Sequence, residues 1–115
     1  MEGQLEVLKT VREYIERLYD SVNDTVENFK QDNIQEGYNL LTQIIDGLQW
    51  CIEAIHLTRE CQKEPIALNN ITPLLSDMIE GLENNDIVLL KDLLEYEIKV
   101  TLEEWHEKIG KVTEI

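Results

Sequence analysis

The sequence predicts an all-α protein: an antiparallel up-and-down four-helix bundle made of two repeated helical hairpins. The first supporting observation is internal repetition at an offset of 53 residues, where Asp24, Glu27, Ile34, Leu40 and Leu41 recur as Asp77, Glu80, Ile87, Leu93 and Leu94. Around them Val22, Val26 and Phe29 answer to Leu75, Ile79 and Leu82, and Ile45 and Ile52 answer to Ile98 and Trp105. A hairpin that repeats in this way cannot bury its apolar side alone and needs its twin. The second observation is that apolar residues recur at helical spacing throughout, and nothing alternates at period two. The third is composition: 115 residues with only 5 Gly and 2 Pro leave little material for sheet turns and make one domain, 1–115.

The first helix, predicted over 4–31, carries a heptad pattern. Leu8, Ile15, Val22 and Phe29 hold one position, and Val11, Leu18 and Thr25 the complementary one. Tyr19 and Val26 widen the stripe to the breadth a bundle helix needs, while Glu13, Asp20 and Glu27 face solvent. Asp32-Asn33 interrupts the pattern, and Asn33 with Glu36 reads as a capping box.

The second helix, predicted over 34–60, has the stripe Ile34, Leu41, Leu48 and Ile55, flanked by Ile44, Ile45, Cys51 and Ile52. Leu40, Trp50 and Leu57 fall outside that stripe, a surplus of apolar width that predicts several neighbours or a patch left for a partner. Gly37 and Gly47 each cost about 1 kcal/mol in helix propensity. They read equally well as points of close helix approach and as tolerated imperfections.

Pro65 and the Thr72-Pro73 pair offer two starts for the third helix, predicted over 65–83, because proline suits the first helical position. Leu75, Met78, Ile79 and Leu82 are its apolar residues. Asn85-Asp86 then restarts the chain, and Ile87, Leu90, Leu94, Ile98, Trp105 and Ile109 mark a fourth helix over 86–110. The short connections near 32 and 85 predict antiparallel neighbours. The predicted core is Leu8, Ile15, Leu18, Val22, Val26, Phe29, Leu41, Ile45, Leu48, Ile52, Leu75, Ile79, Leu90, Leu94, Ile98 and Trp105.

Asp and Glu number 24 against 10 Lys and Arg, a formal net charge of -14. A field of that sign repels phosphate backbones and anionic lipid, which argues against nucleic-acid and membrane-surface roles and for partners with a basic face. It serves solubility equally well. The stretch MEGQLEVLKT has no basic region followed by an apolar run, and Cys51 and Cys61 form no CxxC, so a reducing cytoplasmic setting is expected.

One constellation carries the elements of metal chemistry. Glu53-Ala54-Ile55-His56 and Glu103-Glu104-Trp105-His106 are Glu-x-x-His pairs on helices two and four, the order used by di-iron bundles. A carboxylate and an imidazole three residues apart share a helical face, so one cation can take both. Depth argues against a shared site. With turns near Asn33 and Asn85, Glu53 and His56 lie level with residues 9–14, and Glu103 and His106 with 64–68, where no inward acids wait. No metal or cofactor is therefore expected, and Glu53, His56, Glu103 and His106 read as surface residues. No phosphate loop or G-x-S-x-G stands elsewhere, and Cys61 lies beside Glu60 and Glu64, which disfavour a thiolate.

The stretch Leu40-Leu41-Thr42-Gln43-Ile44-Ile45-Asp46-Gly47-Leu48 after a polar turn, with helix starts Asn33-Ile34 and Asp86-Ile87, resembles the flagellar export chaperones or a bacterial helical-bundle family of similar size. That resemblance implies a small acidic bundle serving a protein client. The expected function is a non-catalytic protein-interaction module, adaptor or chaperone-like, with Trp50 and Leu57 as contact residues and Asp46 and Glu53 beside them. A homodimer formed through the same patch is the alternative, and a di-metal oxidoreductase the remote one.

Overall fold

A computed structural model describes residues 2–113, and every regular element among them is helical. The chain forms α1 (Glu2–Lys30), α2 (Ile34–Leu57), a 3-10 turn (Arg59–Cys61) and α3 (Ile71–Glu83). A fourth rod follows without a break: α4 (Ile87–Leu93), a π-helical stretch (Leu94–Ile98) and α5 (Lys99–Thr113). At 1.5 Å per residue α1 is roughly 44 Å long, and it sets the 45 Å long axis of the molecule. It packs along α2 on one side and α5 on the other, while α3 packs on α4. Both positions of its heptad are buried, from Leu8 to Phe29, with Thr25 donating its hydroxyl to the Ser21 carbonyl at 2.7 Å.

The two short turns are built alike. After α1, Asp32 takes φ 65° while its N–H reaches the Phe29 carbonyl at 3.2 Å and the Asn33 N–H reaches Asn28 at 2.8 Å. After α3, Asn85 takes φ 54° while its N–H reaches Leu82 at 3.3 Å and the Asp86 N–H reaches Gly81 at 2.8 Å. Each pair satisfies the last carbonyls of a helix in a Schellman arrangement. The Tyr38 hydroxyl and Asn85 Oδ1 lie 2.9 Å apart, so the start of α2 sits against the second turn.

Four expectations need correction. Asn33 is the N-cap of α2, but its side chain makes no capping bond, so the predicted box with Glu36 is not formed; Asp86 does cap, accepting from the Leu89 N–H at 3.1 Å. The third helix begins at Ile71, beside the Pro73 start and not at Pro65. Residues 62–70 are held otherwise: the Gln62 amide donates to the Ile55 carbonyl at 2.8 Å and accepts the Ile66 N–H at 3.1 Å, and Ile66 is buried. Pro73 instead lies within the first turn of α3, where a missing N–H leaves no helical bond unmade.

Two expected core residues also lie further out. Ile79 is exposed and Ile52 only half-buried. Ile52 lies one residue past Cys51, beside the buried stripe of α2 and not in it, while in the fourth rod a π stretch adds one residue to the turn. Leu41 matches Leu94 at 53, but beyond it buried Leu48, Cys51 and Ile55 match buried Leu102, Trp105 and Ile109 at 54. Trp105 therefore corresponds to Cys51, not to Ile52. The fourth expectation concerned helix ends: α2 stops at Leu57, where buried Thr58 turns its hydroxyl back to the Ala54 carbonyl at 2.8 Å.

Candidate functional site

The two Glu-x-x-His pairs face different surroundings. Glu103 Oε1 accepts from the Tyr19 hydroxyl at 2.9 Å, and His106 Nε2 lies 2.8 Å from Glu16 Oε2. Both therefore meet α1, not the 64–68 stretch that depth alone suggested. In that stretch Glu64 reaches Lys111 at 3.4 Å. On α2, the Arg59 guanidinium donates to the His56 carbonyl at 2.9 Å and touches its ring at 3.5 Å, and Glu53 lines a groove on the α1–α2 side. The four residues do not converge. Among the described residues no group of three or more His, Cys, Asp and Glu side chains is placed to hold a metal ion.

The α1–α5 junction has its own groove of about 410 Å³, floored by Ile15 and Leu102 and walled by Glu16, Asp20, His106 and Glu107. Lys99 Nζ stands 5.0 Å from the centre of the Tyr19 ring beside it. Chemically this is a tied junction: a charged hydrogen bond, a phenol–carboxylate bond and a cation–π contact hold α5 to α1. Glu16 and His106 are both solvent-accessible, so the pair contributes little net stability.

Trp50 and Leu57 lie on the other side of α1. A groove of about 550 Å³ runs between α1 and α2, lined by Gln4, Val7, Trp50, Glu53, Ala54 and Leu57. Its large apolar residues are left open to water: Val7 is 38% exposed, Trp50 42% and Leu57 61%. The Trp50 ring stands edge-on to Tyr14, centroids 5.3 Å apart. Beyond Trp50 a second hollow of about 490 Å³ continues along Thr10, Glu13, Tyr14 and Arg17. Asp46, one turn before Trp50 on α2, is exposed but lines neither hollow.

Val7 is the groove residue that sequence reasoning missed. It sits beside the heptad position of Leu8, and only the approach of α2 turns it into a groove wall. Gln4 adds a polar feature, since its Oε1 is shut off from solvent without a hydrogen-bond partner among the described residues. The thiols add no chemistry: Cys51 is fully buried, and burial pushes its pKa from 9.0 up to about 12.

No helix among the described residues is long and apolar enough to cross a membrane. No curated protein and no solved structure matches the chain. A family model does match, covering residues 6–108 and therefore all four helical rods, and the chain belongs to that family, described as Domain of unknown function (DUF8042).

Proposed function

We propose that the protein is a non-catalytic interaction module, adaptor or chaperone-like, that binds a protein partner through the α1–α2 groove. The observation that carries this reading is the row of Val7, Trp50 and Leu57, three large apolar side chains held open to water in one groove. Trp is the residue most enriched at interaction hot spots, and a half-exposed indole braced by a neighbour needs little ordering on binding. Glu53 lines the groove and Asp46 lies one turn before Trp50, so a basic group on the partner would find a carboxylate at either place.

The scaffold for this role is an antiparallel up-and-down bundle of two hairpin repeats. Cross-helix pairs support it, since Lys30–Glu95, Tyr19–Glu103 and Glu16–His106 run in opposite order along α1 and the fourth rod. The matched Schellman turns at Asp32 and Asn85 support the repeat. The resemblance to flagellar export chaperones fits a cytoplasmic, client-binding role in a bacterium.

A photo-crosslinking residue placed at Trp50, compared with one at exposed Glu80 on α3, tests the reading in cells. The expected result is a discrete partner crosslinked from position 50 and absent from position 80. Sedimentation of the purified chain supplies the counter-test. A wild-type dimer that Trp50→Asp dissociates would replace the partner by a second copy and overturn the reading.

A further inference from the structure

A second apolar face lies on the outward side of the fourth rod, away from the α1–α2 groove. Val88 and Tyr96 are the most exposed large apolar side chains in the described chain, at 66% and 67%, and Leu89 and Val100 are exposed beside them. Val88, Asp92, Tyr96 and Val100 are all exposed at four-residue steps that run through the π stretch, so they share the outward side of the rod. Leu90, Leu94, Ile98 and Leu102 occupy the opposite, buried side. At 1.5 Å per residue the stripe is roughly 18 Å long, a little over three turns.

Charge decides what can cover it. Between Asp86 and Glu104 the chain has six carboxylates against two lysines, Lys91 and Lys99; Glu95 is paired with Lys30 and Glu103 with Tyr19 on α1, while Asp92, Glu97 and Glu104 stand exposed. Lys99 is engaged over the Tyr19 ring, and Lys91 is partly buried. Asp92 stands within the stripe itself, four residues from Val88 and four from Tyr96, and Glu104 stands four residues beyond Val100. A second copy would press this acidic face against another in a chain of net charge -14, with like charges opposed. An apolar stripe of three turns within a carboxylate frame matches a helix that is apolar on one side and basic on its flanks.

We infer that the Val88–Tyr96–Val100 face docks a basic amphipathic helix of another protein. The partner's apolar side covers Tyr96 and Val100, and its Lys or Arg side chains meet Asp92 and Glu104. This surface is independent of the groove at Trp50, so either assignment stands if the other fails.

The test uses the full chain and three labelled synthetic helical peptides of about 18 residues, long enough to span the stripe. One carries a Leu face flanked by Lys, one the same face flanked by Glu, and one the Lys flanks with Ser replacing Leu. Fluorescence anisotropy should show binding of the Leu/Lys peptide alone. Its affinity should fall about tenfold or more in the double variant Tyr96→Ser, Val100→Ser and in Asp92→Lys, and stay unchanged in Trp50→Ser. The substituted side chains are solvent-exposed, and unaltered circular dichroism melts would verify that the variants fold. Any of four results would overturn the inference: no binding, equal binding of the three peptides, loss confined to Trp50→Ser, or a wild-type dimer abolished by the double variant.

Discussion

Gly37 lies directly beneath the Phe29 ring, so close that a methyl group at residue 37 would overlap the aromatic carbons. The contact sits where α1 and α2 leave their shared turn, and Tyr38 closes it with its ring edge-on to Phe29, centroids 5.8 Å apart. Gly37→Ala gains about 1 kcal/mol of helix propensity but forces the ring out of a packed site at about 1–3 kcal/mol. The expected outcome is a lower melting temperature. A rise would show that the ring has room to move.

The left-handed turns give a paired comparison. Asp32 and Asn85 both hold positive φ, a conformation that is strained for residues with a Cβ and free for glycine. Relief of that strain, about 1–2 kcal/mol, exceeds glycine's added unfolded-state freedom, about 0.5–1 kcal/mol, so Asp32→Gly should stabilise the protein by up to about 1 kcal/mol. Asn85→Gly should gain less, because it also removes the acceptor of the Tyr38 hydroxyl. Chemical denaturation of the two variants reads the difference directly.

Thiol labelling should separate the cysteines. Half-buried Cys61 should react with a disulfide reagent near pH 8 in the folded chain, and Cys51 only on unfolding. The Cys51 pKa is raised in the fold, from 9.0 to about 12, so its contribution to stability is complete below pH 9. Above pH 9 the unfolded chain releases the proton first, and this contribution declines as pH approaches 12. Cys51→Ala should remove that part of the alkaline destabilisation.

The two tryptophans report on opposite environments. Trp105 is buried, whereas Trp50 stands half in water. Trp50→Phe should therefore abolish most acrylamide-quenchable emission and shift the remaining spectrum to shorter wavelength. Equal quenching before and after the substitution would place Trp50 inside the core and remove the groove's central residue.

Leu94 is fully buried within the π stretch. Leu94→Ala should cost about 2–5 kcal/mol, measured by denaturant unfolding. Ile45, buried but nearer the surface, should fall toward the lower end of that range when truncated to Ala. A change below about 1 kcal/mol at Leu94 would mean that the site collapses around the cavity.

The sequence by itself determined what depends on neighbours along the chain. The α1 heptad, the stripe of α2 and the turns at Asp32 and Asn85 follow from helical periodicity and terminal hydrogen bonding, which short segments encode locally. The exposure of Trp50 and Leu57 was legible for the same reason, since both fall off a stripe already complete without them. Only the tertiary structure decided what depends on distant segments. Gly37 and Gly47 became points of close approach because Phe29 and Tyr14 press against them from α1. The start of α3 moved to Ile71 because Gln62 ties its loop back to α2. Glu103 and His106 met Tyr19 and Glu16 because α5 lies along α1. Periodicity names the face a helix buries; which neighbour meets that face, and in what register, is settled by packing the whole chain at once.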